Sequence, residues 1–159
     1  MFKTLALAAP ALAAESLVAD KLASFQIATN DGPDIKQTDS HGIFAFNPTA
    51  STANPWPVAK SSTEVFHVAG TWLSTSKFLD HVEFLCNWHI GGQDLNVYDE
   101  DQPCDESTNC KTPTPYGLWT GDFSFDVPAI APAYTYYITI KGRSADGEEL
   151  FVLETNFDL

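Results

Sequence analysis

Three cysteines and four histidines are the residues of this sequence that could carry nucleophilic or metal chemistry. Cys104 and Cys110 enclose the loop DESTN, a spacing that suits a local disulfide in an oxidising compartment. Two free thiols are the alternative, and a zinc site would need histidine ligands nearby. Cys86 and His89 would face opposite sides of one strand, so they do not form a nucleophilic pair. The cysteines and histidines therefore predict neither a nucleophile nor a metal centre.

Acidic side chains are concentrated between Asp94 and Glu106, where no Lys or Arg interrupts them. Their oxygens could bind calcium, but the spacing lacks any calcium-loop signature. We therefore expect a solvated acidic loop at 99–106, with no resident metal and no other cofactor. The sequence also lacks the G-x-S-x-G, H-E-x-x-H and phosphate-loop motifs, so we expect no catalysis.

The charge balance excludes two classes of partner. Eight Lys and Arg against 21 Asp and Glu give a formal net charge of −13 over 159 residues. Such a chain does not suit nucleic acid, which selects basic surfaces, or charge-driven docking on an anionic membrane. The hydrophobic fraction of 44% supports a packed core, and the length suits one domain.

The first fourteen residues have the pattern of a secretory signal peptide. Lys3 precedes an apolar run from Leu5, and small residues follow up to Ala14. The run is far shorter than the roughly 20 residues that span a bilayer, so we expect no stable membrane insertion. A retained short helix is the alternative. We expect a signal peptide at 1–14 and an N-terminal extension at 15–23, with a helix-like segment over 15–28.

Beyond residue 40 the hydrophobic pattern has a period of two, which predicts strands. The clearest run is Leu118 to Val127, in which Trp119, Phe123 and Phe125 alternate with polar residues. Gly91-Gly92 and Asp146-Gly147 predict hairpin turns. Residues 51–62 are rich in Pro and Ser, and we expect them to form a connection. The spacing indicates an all-β antiparallel sandwich. Further strands are expected at 43–46, 65–72, 81–90, 94–98, 134–141 and 149–157.

Large apolar side chains recur on one face of these strands. They suit either a filled sandwich core or two splayed sheets with an apolar cavity for a hydrophobic ligand. Composition does not distinguish the two arrangements. The residues concerned are Phe66, Trp72, Phe84, Trp88, Phe123, Phe125, Tyr136, Phe151 and Phe157.

The order of motifs from Cys104 onward is more specific than the period. Cys104-DESTN-Cys110 is followed by the Trp119 strand, Val127-Pro128-Ala129-Ile130-Ala131-Pro132, Tyr134-Thr135-Tyr136-Tyr137-Ile138 and Asp146-Gly147-Glu148-Glu149-Leu150. This order resembles the ML family of small lipid-recognition sandwiches, which includes the Niemann–Pick type C lysosomal sterol carrier and group 2 mite allergens. The resemblance covers about residues 24–159, which we expect to be one ML-like domain.

The resemblance implies an immunoglobulin-like (E-set) sandwich that holds a sterol, fatty acyl chain or glycolipid between its sheets. It implies a secreted protein, or one in the lumen of the endolysosomal or secretory system, without cofactor or catalysis. Cys104–Cys110 would be a loop disulfide near the cavity mouth, with Tyr116 and Trp119 at the entrance. The lipid-binding residues expected are Phe66, Val68, Trp72, Phe84, Trp88, Tyr116, Trp119, Phe123, Phe125, Tyr136, Ile138 and Phe151.

The sequence departs from the family pattern in its cysteines. A bridge that would join the region of Asn30-Asp31 to Val152 is missing, as is one around 48–56. Cys86 matches no family bridge, so we expect a buried free thiol there. The missing bridges favour a second hypothesis, a non-catalytic structural or interaction module that joins a protein partner and holds no lipid. A solid interdigitated core would support that alternative.

Overall fold

Alternating apolar residues produce nine strands in residues 32–105 and 110–159, the parts of the chain that the computed structural model describes. The expected signal peptide at 1–14, the extension at 15–23 and the helix-like segment at 15–28 lie outside the described residues. Within them no helix is long and apolar enough to cross a membrane. The strands are β1 (Lys36–Asp39), β2 (Phe44–Phe46), β3 (Thr52–Asn54), β4 (Thr63–Trp72), β5 (His81–Ile90), β6 (Gln93–Pro103), β7 (Leu118–Asp126), β8 (Thr135–Arg143) and β9 (Glu149–Asp158).

The strands form two antiparallel sheets, which confirms the predicted all-β sandwich. The five-stranded sheet has the order β1-β9-β8-β5-β6. In the four-stranded sheet β4 pairs with all three other strands: β7 follows nearly its whole length, whereas β2 and β3 pair with shorter stretches. The inward faces of both sheets carry the alternating apolar residues that the period of two predicted.

Glycine turns set the register of two hairpins in the five-stranded sheet. Gly91 and Gly92 have positive φ angles of 60° and 81° and join β5 to β6. Gly147, with φ of 82°, lies in the turn between β8 and β9. Left-handed backbone is readily adopted by glycine, and such turns match the twist of paired strands. Both predicted hairpins are confirmed.

The acidic segment is a strand rather than the expected loop. Asp99, Glu100 and Asp101 lie in β6, which pairs with β5 and forms one edge of the sheet. Backbone pairing with a single neighbour leaves these side chains exposed, so their charges stay in solvent. In the described ranges, no cluster of three or more His, Cys, Asp or Glu could hold a metal ion.

One end of the sandwich, called here the Trp72 end, is filled by aromatic rings. Two strand glycines make this packing possible. A Cβ atom on Gly70 would lie 2.2 Å from the Phe44 ring, and one on Gly142 would lie 2.2 Å from the Phe151 ring. The two rings can pack directly against the strand backbone because glycine has no side chain at these positions. The packed rings are Phe44, Trp72, Trp119 and Phe151, with centroid separations from 4.5 to 6.4 Å.

The middle of the core is also closed. Phe84 of the five-stranded sheet stacks on Phe123 of the other sheet, with ring centroids 5.9 Å apart and planes 10° from parallel. Phe66, also from the opposite sheet, approaches Phe84 to the same distance at a tilt of 51°. Each of these rings is at most 1% exposed. The two sheets are therefore interdigitated here.

Candidate functional site

An apolar cavity of about 410 Å³ lies between the sheets at the end opposite Trp72, called here the Trp88 end. Its volume falls within the range of about 300–1,000 Å³ that is usual for small-molecule sites. Asp126 is the one Asp, Glu, Lys or Arg among the described residues that line it. Its carboxylate alternates with the buried Phe125 and Val127 and accepts a hydrogen bond from the exposed Thr63 hydroxyl, so it lies on the outer side of β7. The lining residues are Cys86, Trp88, Val97, Tyr98, Phe125, Asp126, Val127, Pro128, Ile130, Ala131, Pro132, Tyr136, Phe157 and Leu159.

The floor of the cavity comes from the five-stranded sheet. Cys86 and Trp88 of β5, Tyr136 of β8 and Phe157 of β9 contribute to it. Strand pairing places Tyr136 beside both Trp88 and Phe157. The rings of Tyr136 and Phe157 stack with centroids 5.2 Å apart and planes 6° from parallel. The alternation of the strands thus supplies a flat aromatic surface.

A β-bulge shapes the side wall formed by β6. Tyr98 pairs with Cys86, but Asn96 pairs with Asn87, so Val97 is an extra residue in β6. A bulge interrupts the alternation of side chains and re-aims one of them. Two successive residues, Val97 and Tyr98, consequently both line the cavity.

The roof of the cavity is the segment 127–132, which follows β7. Its first residue is fixed to the 61–62 turn by two backbone hydrogen bonds, from Val127 N–H to the Ser62 carbonyl and from Ser61 N–H to the Val127 carbonyl, both 2.8 Å. At its far end, the Tyr136 hydroxyl donates to the Pro132 carbonyl at 2.9 Å. Between these attachments Ile130 lies on the rim with 91% of its surface exposed. The roof is therefore tied at both ends and apolar on its outside.

Tyr98 joins the two sheets beside the cavity. Its hydroxyl donates to Glu100 Oε2 at 2.7 Å and lies 3.3 Å from the Ser124 carbonyl oxygen in β7. The hydrogen bond to Glu100 raises the pKa of Tyr98 to about 12, with burial adding to the effect. Burial raises the pKa of the Cys86 thiol to about 12 as well. Both side chains are therefore neutral at physiological pH, and they add no charge to the wall.

Three of the twelve residues expected to bind lipid line this cavity: Trp88, Phe125 and Tyr136. Tyr116 does not line it and is 71% exposed. The other eight lie outside the cavity lining because their side chains fill the middle and the Trp72 end of the core. Each of the eight is at most 1% exposed: Phe66, Val68, Trp72, Phe84, Trp119, Phe123, Ile138 and Phe151.

The disulfide lies at the Trp72 end, not near the cavity mouth as the family resemblance implied. Cys104 and Cys110 are bonded, as predicted, and Cys86 is a buried free thiol, also as predicted. The Cys104 N–H donates to the carbonyl of Asp80, immediately before β5 begins. Trp88 is near the other end of β5, roughly 23 Å further along at the rise of an extended strand. Cys110 forms an isolated antiparallel β-bridge with Gly121, in the first half of β7. The cavity is lined by residues at the other end of that strand.

Most of the cavity lining was not identified from the sequence. The bulge at Val97 has no sequence signature, because it depends on how β6 pairs with β5. The roof had a usable signal: 127–132 consists of apolar residues and includes two prolines, and proline is not compatible with a central strand. Phe157 belonged to the predicted aromatic faces, but nothing in its spacing indicated which end of the core stays open.

Comparison with known structures places this sandwich in a recognisable class. The chain is similar to the crystal structure of a Niemann–Pick type C2 protein from Japanese carpenter ant, with a TM-score of 0.58 and 13% identity over 78% of this chain and 97% of that one. It is also similar to Spo0M, a sporulation control protein from Bacillus subtilis, with a TM-score of 0.50 and 8% identity over 74% of this chain and 49% of that one. A third match is chicken MD-1 complexed with lipid IVa, with a TM-score of 0.45 and 16% identity over 78% and 87% of the chains.

The fold is thus the immunoglobulin-like sandwich that the resemblance to the ML family implied, and the likeness is confirmed at the level of fold. No protein-family model and no curated protein sequence matches the chain. A sporulation control protein shares the architecture, so the fold by itself does not assign a function. The feature of this sandwich that bears on function is the cavity.

Proposed function

We propose that the protein binds a sterol, a fatty acyl chain or a glycolipid in the cavity at the Trp88 end and carries it without catalysis. The observation that carries this proposal is an apolar space of about 410 Å³ between the sheets, with one charged lining residue. Lipid-recognition sandwiches of the ML family, which this chain resembles, hold their ligands between the two sheets. The location of the cavity between the sheets is consistent with that mode of binding.

Binding is driven by transfer of hydrocarbon out of water. Each methylene that enters an apolar site contributes about 0.8 kcal/mol, so even a short acyl segment provides useful affinity. The aromatic floor is already packed, with the Tyr136 and Phe157 rings stacked on each other. A preformed wall reduces the ordering cost that a ligand must meet on binding.

The disulfide and the N-terminal pattern support an extracellular or lumenal compartment for the proposed carrier. Cys104 and Cys110 are bonded, and such bonds persist in oxidising compartments. A signal peptide at 1–14 would direct the chain to the secretory pathway. The protein would therefore meet its ligand outside the cell or in a lumen, including the endolysosomal lumen.

A matched pair of substitutions in the roof tests the proposal. Ala131 is buried and lines the cavity, whereas Ala129, in the same segment, is exposed and does not. Ala131→Phe fills the space and should weaken binding of a fluorescent sterol and a fluorescent fatty acid by about tenfold or more. Ala129→Phe should leave both affinities unchanged. Equal affinities in the two variants would contradict the proposed site.

A ligand-free structural or interaction module is the second candidate, because the middle and the Trp72 end of the core are filled. Phe66, Phe84 and Phe123 interdigitate there, which is the arrangement expected of a sandwich without lipid. Extraction of protein purified from its native source, followed by mass spectrometry, separates the candidates. A carrier yields a reproducible lipid at a fixed molar ratio. A consistently empty protein that also rejects sterols, fatty acids and glycolipids supports the module.

A further inference from the structure

The cavity stops at the same level in each of the strands that reach it from inside the sandwich. In β5 the lining includes Cys86 but not Phe84, the next residue on the inward face. In β7 the lining includes Phe125 but not Phe123. Strands β8 and β9 follow the same rule. The first inward-facing residues beyond the lining are each at most 6% exposed, and they are Phe84, Phe123, Ile138 and Thr155.

Two stacked rings from opposite sheets close the space at this level. These rings, Phe84 and Phe123, are called here the partition, and their centroids are 5.9 Å apart. Tyr98 and Phe125 line the cavity, and both of their rings contact Phe84, with centroid distances of 6.1 and 5.8 Å. Phe66 packs on Phe84 from the opposite sheet. A hydrocarbon chain that enters from the Trp88 end therefore meets packed aromatic rings and not a continuation of the apolar space.

The volume of the cavity limits how much hydrocarbon it can enclose. A methylene group has close to the volume of a water molecule in the liquid, about 30 Å³. A space of about 410 Å³ therefore encloses about 14 carbon atoms. One acyl chain of medium length fills such a space. Two chains of that length, or a whole sterol with its side chain, need more room than the cavity has.

The outer end of the cavity is open and apolar. Ile130 and Val97 line it there, and they are 91% and 46% exposed. Carbons beyond the enclosed length would lie against these side chains and stay in partial contact with water. The hydrophobic gain is proportional to the apolar area that leaves water, so each such carbon contributes less than an enclosed one.

We infer that the cavity takes a single hydrocarbon chain with its end against the partition, and that the partition limits the enclosed length to about 14 carbons. This inference rests on the proposed function, because it selects the single acyl chain among the ligands proposed for the same cavity. Phe84 acts through Tyr98 and Phe125, so it is a positioning residue that determines chain length. A free single-chain lipid and one chain of a larger lipid share the chemistry that the cavity recognises.

Straight-chain alcohols from decanol to octadecanol, in steps of two carbons, test the inference on the full-length protein. Affinities are measured by displacement of a fluorescent fatty acid, below the solubility limit of each alcohol. The wild-type affinity should rise about fourfold for each methylene up to tetradecanol, because each of these methylenes is enclosed. Beyond tetradecanol the gain should fall below about twofold for each methylene. The chain length at which the gain falls is called here the break.

A matched pair of substitutions shows whether the partition sets the break. Phe84→Ala removes one ring of the partition and should move the break to longer chains by at least one step of the series. Phe151→Ala removes an equally buried ring that does not line the cavity, and it should leave the break at tetradecanol. Both variants lose core packing, so a purely structural role of Phe84 would not separate them. If Phe84→Ala does not fold, Phe84→Leu and the wild-type break still decide the matter.

A diacylglycerol with two tetradecanoyl chains distinguishes the two sources of a single chain. An affinity similar to that of tetradecanol would assign the enclosed chain to a larger lipid whose second chain stays outside. Weaker binding would assign it to a free single-chain lipid. Binding more than about fourfold tighter, the factor of one enclosed methylene, would show that the second chain is enclosed and would overturn the inference.

The outcomes separate this inference from the function on which it rests. Binding of none of the alcohols and no diacylglycerol would overturn the proposed function. An affinity that keeps rising about fourfold for each methylene through octadecanol would overturn the inference alone. A break that stays at tetradecanol in folded Phe84→Ala, or that moves equally in Phe151→Ala, would also overturn it.

Discussion

Cys86 gives the cavity a built-in chemical reporter. Its thiol lines the cavity, and burial raises its pKa to about 12. The thiolate is the reactive form, so a raised pKa makes the residue inert at neutral pH even where a reagent can reach it. Cys86 is the free cysteine of the described residues, and the other two cysteines are bonded to each other.

The raised pKa predicts the pH profile of Cys86 labelling. Because more thiolate forms at each step of pH, modification by N-ethylmaleimide should still accelerate above about pH 9, where an ordinary cysteine of pKa near 8.5 levels off. Mass spectrometry of the labelled protein measures the rate. The protein unfolded in urea is the control and should show the ordinary profile.

Occupation of the cavity should slow the same reaction. A bound lipid would lie between Cys86 and solvent, so saturation with ligand should reduce the labelling rate at every pH. A rate that levels off near pH 9 in the folded protein would contradict the raised pKa of Cys86. A rate that ligand leaves unchanged would show that Cys86 does not border the binding site.

Strands carry the packing that closes the Trp72 end, and glycines in two of them make room for rings. Gly70→Ala would place a methyl group 2.2 Å from the Phe44 ring and 2.7 Å from the Ala45 carbonyl oxygen. Overpacking of this kind costs about 1–3 kcal/mol of unfolding free energy. Gly32→Ala is the control, because its Cβ meets nothing within 4 Å, and it should change stability by less than about 0.5 kcal/mol. Urea denaturation measures both, and equal stabilities would contradict the packing described.

The position of the disulfide predicts that stability and binding respond differently to its loss. Cys104 and Cys110 are six residues apart, and closing so short a loop stabilises the fold by about 2 kcal/mol. Replacing both cysteines with Ala should lower the free energy of unfolding by about that amount. Lipid affinity should not change, because the bond lies at the end of the sandwich away from the cavity. A loss of affinity in a variant that remains folded would place the disulfide next to the binding site.

The period of two in the hydrophobic pattern was sufficient to predict the main strands and the sandwich. It could not reveal β1 or β3, because KQTD and TAN have no apolar alternation and pair as short flanking strands. It also could not show that Asp99 to Asp101 form part of a strand, since their exposed side chains resemble those of a loop. Short and edge strands are determined by backbone pairing more than by side-chain pattern.

The candidate site was less predictable than the fold. Inward-facing aromatics such as Phe84 and Tyr136 have the same pattern in the sequence, yet one is enclosed by rings and the other lines a cavity. The difference arises from three-dimensional packing. Gly70 and Gly142 let rings close one end, whereas at the other end the bulge at Val97 brings two successive residues of β6 to the cavity wall. The spacing of residues in the sequence reveals neither the glycine contacts nor the bulge.

The two ends of the described sandwich differ in packing. The Trp72 end has a filled aromatic core and a disulfide, and the Trp88 end has a cavity under a tied apolar roof. The chain is strongly acidic, at −13, but the cavity wall has a single charged residue among those described. An acidic exterior around a nearly neutral apolar cavity is consistent with the proposed binding of a hydrophobic ligand.

The most direct measurement of the central claim is anomalous X-ray diffraction from crystals grown with a brominated long-chain alcohol. Bromine locates the hydrocarbon chain without relying on the interpretation of weak lipid density. If the protein is a lipid carrier, we expect a bromine peak between the sheets at the Trp88 end, bounded by Phe125, Tyr136 and Phe157. A bromine peak elsewhere would contradict the assignment of this cavity as the lipid site. So would a cavity without bromine in crystals grown from a solution that contains saturating ligand.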